Sequence, residues 1–538
     1  AVVMGMNLVN TMSPLALAAQ APVQPEAMRP APQAQPLEYT VLPQALQSVE
    51  DMVFARAEAN YVTIHVNSGE LNSVASINYS TYMYISSGGT GIVGVNDNSY
   101  QFVFSGGVGS IGTMSRGNAA KQIIESGGQG FIEIMNTGNQ SAIGGTGNIT
   151  SMNGGNQVVY NSGSGHIEIL NNGSQRISSG GVGSIETMKG GHQSVGTNGT
   201  GIIETMGGGA QYISGGGVGS IGTMYNGAQN ISSGVGSIDV MNNGNQYIMT
   251  SGVGSIETMS SGRQAINSGG TGIIHNAVSG GQQIINNGAV GSIVSAIGRY
   301  QGGVGYTACT QTVYSGGTGI IDEANGVSQV VSTYGNGLIY NLSSGDQTAS
   351  GASAFVSAVN VYSGGYQTVF GGNGIIEYND GGSQYVENDG TAVIRTQVSG
   401  SQSVNGGKGY IEKMNGGFQF VTAGTGIIGT MNDGQQKIGY AFKNGGGNGS
   451  INVMNGGTQN VTSTGTGNIG VMNDGVQQIS GSAVGIISSL NGGTQILNGD
   501  SATAKDTIIN GGTQLVQNGT AQNNTVNGGT QIISGGVV

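Results

Sequence analysis

The chain repeats itself, and the repeat limits what it can fold into. From about residue 85 to Val538 a unit of mostly 17–19 residues recurs. Ser179–Gly196 (SGGVGSIETMKGGHQSVG), Thr197–Ser214 (TNGTGIIETMGGGAQYIS) and Gly215–Ser232 (GGGVGSIGTMYNGAQNIS) are successive copies. A Gln keeps the register in 24 units, from Gln101 through Gln175, Gln193, Gln211, Gln229, Gln246 and Gln264 to Gln531. Longer intervals mark insertions near Asn118–Lys121, Tyr300–Cys309 and Tyr440–Gly445. A unit this short has one thin hydrophobic edge and cannot bury it alone, whereas stacked units bury a continuous column.

Each unit holds two apolar points. One aliphatic residue lies two positions after the Gln (Val195, Ile213, Ile231), and another two positions after the second Gly of a GxGxI block (Ile185, Ile203, Ile221). The segments around them are bracketed by Gly-rich turn signals and are too short for helices, so they are strands. The two spacings alternate near ten and eight, unlike the three sixes of a hexapeptide helix. The expected fold is all-β: a right-handed parallel β-helix of about 24 rungs, on the order of 115 Å long at a rung spacing of about 4.8 Å. All seven Pro residues fall at or before Pro43, as a ladder that uses every backbone N–H requires. The Gln shares strand parity with the inward aliphatic residue two positions on. A stacked amide ladder is therefore expected through Gln175, Gln193, Gln211, Gln229, Gln246 and Gln264, with a structural role. Met recurs before the second turn (Met188, Met206, Met224, Met241, Met259) and suits a corner of the core that needs an adaptable side chain.

Composition removes several classes. The 106 Gly residues are not at every third position and Pro is scarce, which excludes collagen. Charged residues make up 7% of the chain and the net charge is −12, so no basic patch exists to displace the counterions of a nucleic acid. The single Cys309 excludes an internal disulfide framework. No run of 18 apolar residues occurs that could form a membrane-spanning helix.

The prolines also divide the chain. Residues 1–21 end in the small, apolar stretch Leu15–Ala21 and read as the remnant of a secretory signal. Residues 22–43 form a Pro-rich linker, residues 44–84 a cap or transition, and residues 85–538 the solenoid.

No motif carries enzymatic chemistry. Glu168, Glu186 and Glu204, then Asp239, Glu257 and His275, recur at one place in the unit. Two carboxylates at glycosidase distance could arise there, but the position is the solvent-facing neighbour of an inward Ile, and a solvated acidic stripe is expected. The Gly-rich segments lack the Asp of calcium-binding β-rolls and the Lys of phosphate loops. The four His residues show no metal-ligand spacing, and Cys309 reads as an ordinary thiol within an insertion. Neither a catalytic site nor a cofactor or metal site is expected. The outward positions are mostly Ser, Thr, Asn and Gly, with Tyr212, Tyr247, Tyr385 and Phe420 beside the Gln column. Such a repeated surface suits weak contacts made many times over.

The units Asn491–Val538 (NGGTQILNGDSATAKDTIINGGTQLVQNGTAQNNTVNGGTQIISGGVV) resemble the repeats of bacterial autotransporter adhesins of the AIDA type. The likeness rests on the NGGTQ-aliphatic core and a period near 19. Upstream units depart from it by using GxGxIxxM in their second half. The resemblance implies a secreted passenger at the cell surface of a Gram-negative bacterium, exported through an outer-membrane translocator barrel. It also implies adhesion: cell–cell aggregation, biofilm formation or attachment to host glycans and proteins. Glycosylation of repeat hydroxyls is a further implication, with Ser179, Ser268 and Ser315 as the sites to test. A polysaccharide-degrading β-helix and a passive spacer are the alternatives.

Overall fold

The computed structural model describes residues 62–538, apart from 116, 118, 279, 302–304, 308 and 440–445. The signal remnant, the Pro-rich linker and residues 44–61 lie outside the described residues. All described residues belong to one unit, Ala55–Val538.

The chain winds into a parallel β-solenoid of about 25 turns with a period of about 18 residues. Most rungs give one strand to each of two faces, and at rungs such as Thr318–Ser332 and Asn336–Ser350 a single strand runs through both. The glutamine sheet stacks Ser174–Ile177, His192–Val195 and Ala210–Ile213. The methionine sheet stacks Ser164–Leu170, Val182–Met188 and Thr200–Met206. In these pairs the Gln residues align with each other and the Gly residues of GxGxI align with each other, as in Gln193↔Gln211 and Gly183↔Gly201. A one-residue slip would turn the whole Ile and Gln set to solvent, so burial itself fixes this register.

Stacking starts upstream of residue 85. Val62–Val66 pairs with Thr81–Ile85, and Leu71–Asn78 pairs with Thr90–Asp97, both parallel. Residues 62–84 thus hold one full rung and the start of the next, with Ile64 and Met83 standing in the column that Gln101 continues. At the other irregularity, Arg299–Gln301 and Gly305–Thr307 form a short antiparallel hairpin inserted between two rungs.

The turns explain much of the Gly content. In Ser178–Gly181 the Gly181 N–H donates to the Ser178 carbonyl at 3.0 Å, and both central residues have positive φ (Ser179 50°, Gly180 76°). That is the pattern of a type I′ turn.

Candidate interaction surface

The interior has three columns. Ile and Met of the methionine sheet form one apolar cluster, including Ile185, Met188, Ile203 and Met206. The aliphatic residues after the Gln form a second, including Ile177, Val195 and Ile213. Between them run the Gln side chains, fully buried from Gln101 to Gln514. Each Gln Nε2 donates to Oε1 of the Gln one rung earlier. Gln193 reaches Gln175 at 2.6 Å, Gln211 reaches Gln193 at 2.6 Å, and Gln264 reaches Gln246 at 2.7 Å. The same nitrogen also donates across the interior to a carbonyl of the methionine sheet, as Gln193 does to Gly183 at 3.3 Å. The reversed amide would set an oxygen against that carbonyl, so the second bond fixes the orientation of the first. The ladder is unbroken through Gln531, which donates to Gln514 at 2.6 Å.

The ladder accounts for a Gly of the repeat. A Cβ on Gly183 would lie 2.8 Å from Gln175 Oε1, and one on Gly201 would lie 2.6 Å from Gln193 Oε1. Where Gly337 is followed in register by Val356, the aliphatic residue opposite is reduced to Ala349. At this rung the volume added on one side of the interior is removed on the other, as close packing favours.

The acidic residues lie where the methionine sheet bends. Register pairs run Ile167↔Ile185 and then Ile169↔Thr187, so Glu168 and Glu186 stack at the bend between them. Glu168, Glu204, Asp239 and Glu257 are exposed and Glu186 is half-buried. Partial burial, with Glu257 beside it, holds the Asp239 carboxyl above the usual carboxylate value. His166 Nε2 lies 3.4 Å from Glu186, and His275 Nδ1 lies 3.1 Å from Glu257. Farther along, Arg395 bridges Glu377 at 2.8 Å and Glu412 at 3.1 Å. The Glu377 hydrogen bond is the largest cause of its raised pKa. These pairings escaped the sequence reading, although Glu377, Arg395 and Glu412 sit one period apart. Among the described residues no group of three His, Cys, Asp or Glu side chains is placed to hold a metal ion.

Cys309 is not in the inserted loop. It opens the ladder strand Cys309–Val313 and is fully buried, and burial raises its thiol pKa. Ser179, Ser268 and Ser315 lie in exposed turns.

The aromatic residues form stacks on the outer face of the glutamine sheet. Tyr84 stacks on Phe102 at 5.0 Å, and Tyr82 stacks on Tyr100 at 5.2 Å. Lys121 Nζ lies 5.3 Å from the Tyr100 ring centre. Phe418 and Phe420 repeat the arrangement under Lys437. Because neighbouring rings cover one another's faces, these stacks present mainly edges to solvent. Tyr212 stands half exposed beside the Gln column. A shallow depression of about 250 Å³ is lined by Lys437, Ile438, Asn460, Thr462, Gln478 and Ser480, with no carboxylate among them.

The fold and surface define a parallel β-solenoid whose outward chemistry recurs at rung spacing. No family model matches the chain, and no curated protein does. Among solved structures it is similar to the crystal structure of a TibC-catalysed hyper-glycosylated fragment of TibA, spanning residues 55–350 of that protein. The identity is 23% and the TM-score 0.24, over 61% of this chain and 92% of that one. At that level the likeness carries no argument about function.

Proposed function

We propose that this chain is the surface-exposed repeat region of a bacterial adhesin, or the stalk of one, and acts without enzymatic chemistry. The observation that supports this is the periodic outer surface. A continuous Gln ladder holds the rungs in one register, so each outward position becomes a column of similar side chains at about 4.8 Å intervals. Contacts too weak to hold singly add up along such a column. The acidic column is paired with His or Arg at several rungs, which suits a solvated edge better than a reacting pair of carboxylates.

The partners in this reading are other copies of the chain or glycans and proteins of a host surface. Export through an outer-membrane barrel of a Gram-negative cell, roles in aggregation and biofilm formation, and glycosylation at Ser179, Ser268 or Ser315 belong to the same proposal. They draw on the resemblance of Asn491–Val538 to AIDA-type repeats. The test is display on a non-aggregating bacterial host with blocks of rungs deleted. Settling rate or host attachment should fall with each block removed. Unchanged behaviour after removal of any block would overturn adhesion and leave a passive spacer. Polysaccharide cleavage that is lost on joint Glu186→Gln and Glu204→Gln substitution would establish the enzyme instead.

A further inference from the structure

One strip of the methionine sheet stands apart from the rest of the surface. It consists of the two outward positions flanking the inner Gly of GxGxI. Over twelve successive rungs, from Val182 to Thr391 in the first column, neither column holds a charged residue. Val182, Val218, Val253 and Val290 in the first column are 39–45% exposed, in a molecule whose core has no shortage of sites for Val.

The order of residues within the strip carries the argument. From Val182 to Ser292 the seven rungs read Val-Gly-Ser, Thr-Gly-Ile, Val-Gly-Ser, Val-Gly-Ser, Val-Gly-Ser, Thr-Gly-Ile, Val-Gly-Ser. Each rung holds one aliphatic and one hydroxyl side chain, and the series reads the same in both directions about Val235. A palindrome of this kind is what an isologous pair requires: a two-fold axis maps each residue onto its counterpart in the partner.

We infer that this strip pairs face to face with the same strip of a second copy, the two solenoids antiparallel, with the two-fold axis at the Val235–Ser237 rung. In that arrangement first column meets first column. Val182 faces Val290, Thr200 faces Thr271 and Val218 faces Val253, and the second column follows the same rule. Every aliphatic side chain meets an aliphatic one and every hydroxyl meets a hydroxyl. The parallel arrangement with closed symmetry brings first column against second on the same rung, and sets every Val against a Ser.

Charge at the bordering acidic column agrees. The antiparallel axis sets Glu204 opposite His275, Glu186 opposite Val294 and Glu257 opposite Gly222. Asp239 alone meets its own copy. Seven rungs at about 4.8 Å and two columns with their side-chain reach give roughly 900–1,000 Å² of total buried surface. That is the size of a weak, reversible encounter, and it becomes effective where many chains meet at once. The inference deepens the adhesive reading and rests on it only for its biological use; pairing itself is a property of the purified chain.

The experiment is thiol cross-linking with the whole chain. Chains carrying Val182→Cys are mixed with chains carrying Val290→Cys and treated with a short bis-maleimide, and each is also treated alone. Stacked sheets pack about 10 Å apart, beyond the roughly 4.4–6.8 Å between Cα atoms that a disulfide spans and within reach of such a cross-linker; native Cys309 is fully buried and does not compete. The mixture should give a linked dimer at least ten times faster than either variant alone. Val235→Cys, on the axis, should link to itself. Linkage of Val182→Cys chains to each other would overturn the antiparallel arrangement. No linkage in any mixture, with the unmodified chain monomeric in sedimentation at several hundred micromolar, would overturn the pairing. Cells displaying the chain that still aggregate in that case would leave the adhesive reading standing on another surface. Val218→Lys should abolish cross-linking while leaving the circular dichroism spectrum of the rod unchanged.

Discussion

The rungs from Met114 to residue 272 and those from 277 to 397 solve the same corner in two ways. In the first region Met, with Leu170 once in its place, fills it, and the strand start on the next rung is Gly. A Cβ on Gly209 would lie 2.7 Å from Met188 Cε, and one on Gly244 would lie 2.7 Å from Met224 Sδ. In the second region the Met column becomes Ala277, Ala296, Ala324, Leu342, Val361, Asn379 and Gln397. Where Ala277 and Ala296 open space, the Gly position is taken by the buried Cys309 and Val327. At these two rungs the corner is a pair of matched volumes, whereas Ala324 and Leu342 keep Gly345 and Gly365 on the rung that follows.

The sharpest way to break that comparison is to move the second solution into the first region. Gly209 has φ of +85° and its Cβ would also meet the Gly191 carbonyl. Gly209→Val adds left-handed backbone strain to overpacking, and should destabilise the solenoid by roughly 3–5 kcal/mol. Chemical denaturation, with hydrogen exchange at the Ala210–Ile213 strand, measures it; a loss below about 1 kcal/mol would contradict the paired-volume account.

The reverse transfer should cost less and be repairable. Ala277→Met meets Cys309 where Met259 meets Gly281, and should cost about 1–3 kcal/mol. Adding Cys309→Gly recreates the pairing of the first region, and should recover about 1 kcal/mol or more in a double-mutant cycle. Additive effects would show that the two positions are independent.

The two regions also differ in what the sequence discloses. The period, the inward aliphatic residues and the strand character are legible because each recurs at a constant offset. The Met259–Gly281 relation is legible for the same reason. Ala277 and Cys309 are not visibly related, because the hairpin at Arg299–Thr307 pushes them 32 positions apart and breaks the offset. Residues 62–84 hide their rung in another way: Ile64 and Met83 replace the Gln that marks all later units. The pairing of Arg395 with Glu377 and Glu412 was available from spacing alone, since charges one period apart on one column are neighbours.

The third contrast concerns polarity. A buried Asn96 precedes Met114 in the column; downstream, Asn379 and Gln397 make it polar on two successive rungs and are fully buried. Their nitrogens donate to the carbonyls of Gly382 at 3.3 Å and Gly416 at 3.2 Å, but Asn379 Oδ1 and Gln397 Oε1 have no partner. Gln397→Met restores the residue that Met414 holds one rung on and removes one unpaired oxygen. It should stabilise by about 1 kcal/mol, read as a higher denaturation midpoint with an unchanged slope. A drop in midpoint would mean that the amide is satisfied in solution by an internal water.

The smallest expected effect lies on the surface of the regular region. Asp239 has its pKa raised by burial first and by Glu257 second. A carboxyl with a higher pKa in the folded state binds its proton more tightly there, so its favourable contribution is complete below the unfolded value near 3.8 and is lost as pH rises through the folded value. Above that window the charged form is a liability. Asp239→Asn should therefore be more stable than the unaltered chain at neutral pH, by less than about 0.5 kcal/mol because solvent screens an exposed pair. The gain should shrink as pH falls through the window above 3.8, and paired melting curves between neutral pH and pH 4 read it. The same substitution removes the single like-charge meeting on the two-fold axis at Val235. If the solenoids pair as inferred, Asp239→Asn should strengthen their association at neutral pH while leaving it nearly unchanged in acid.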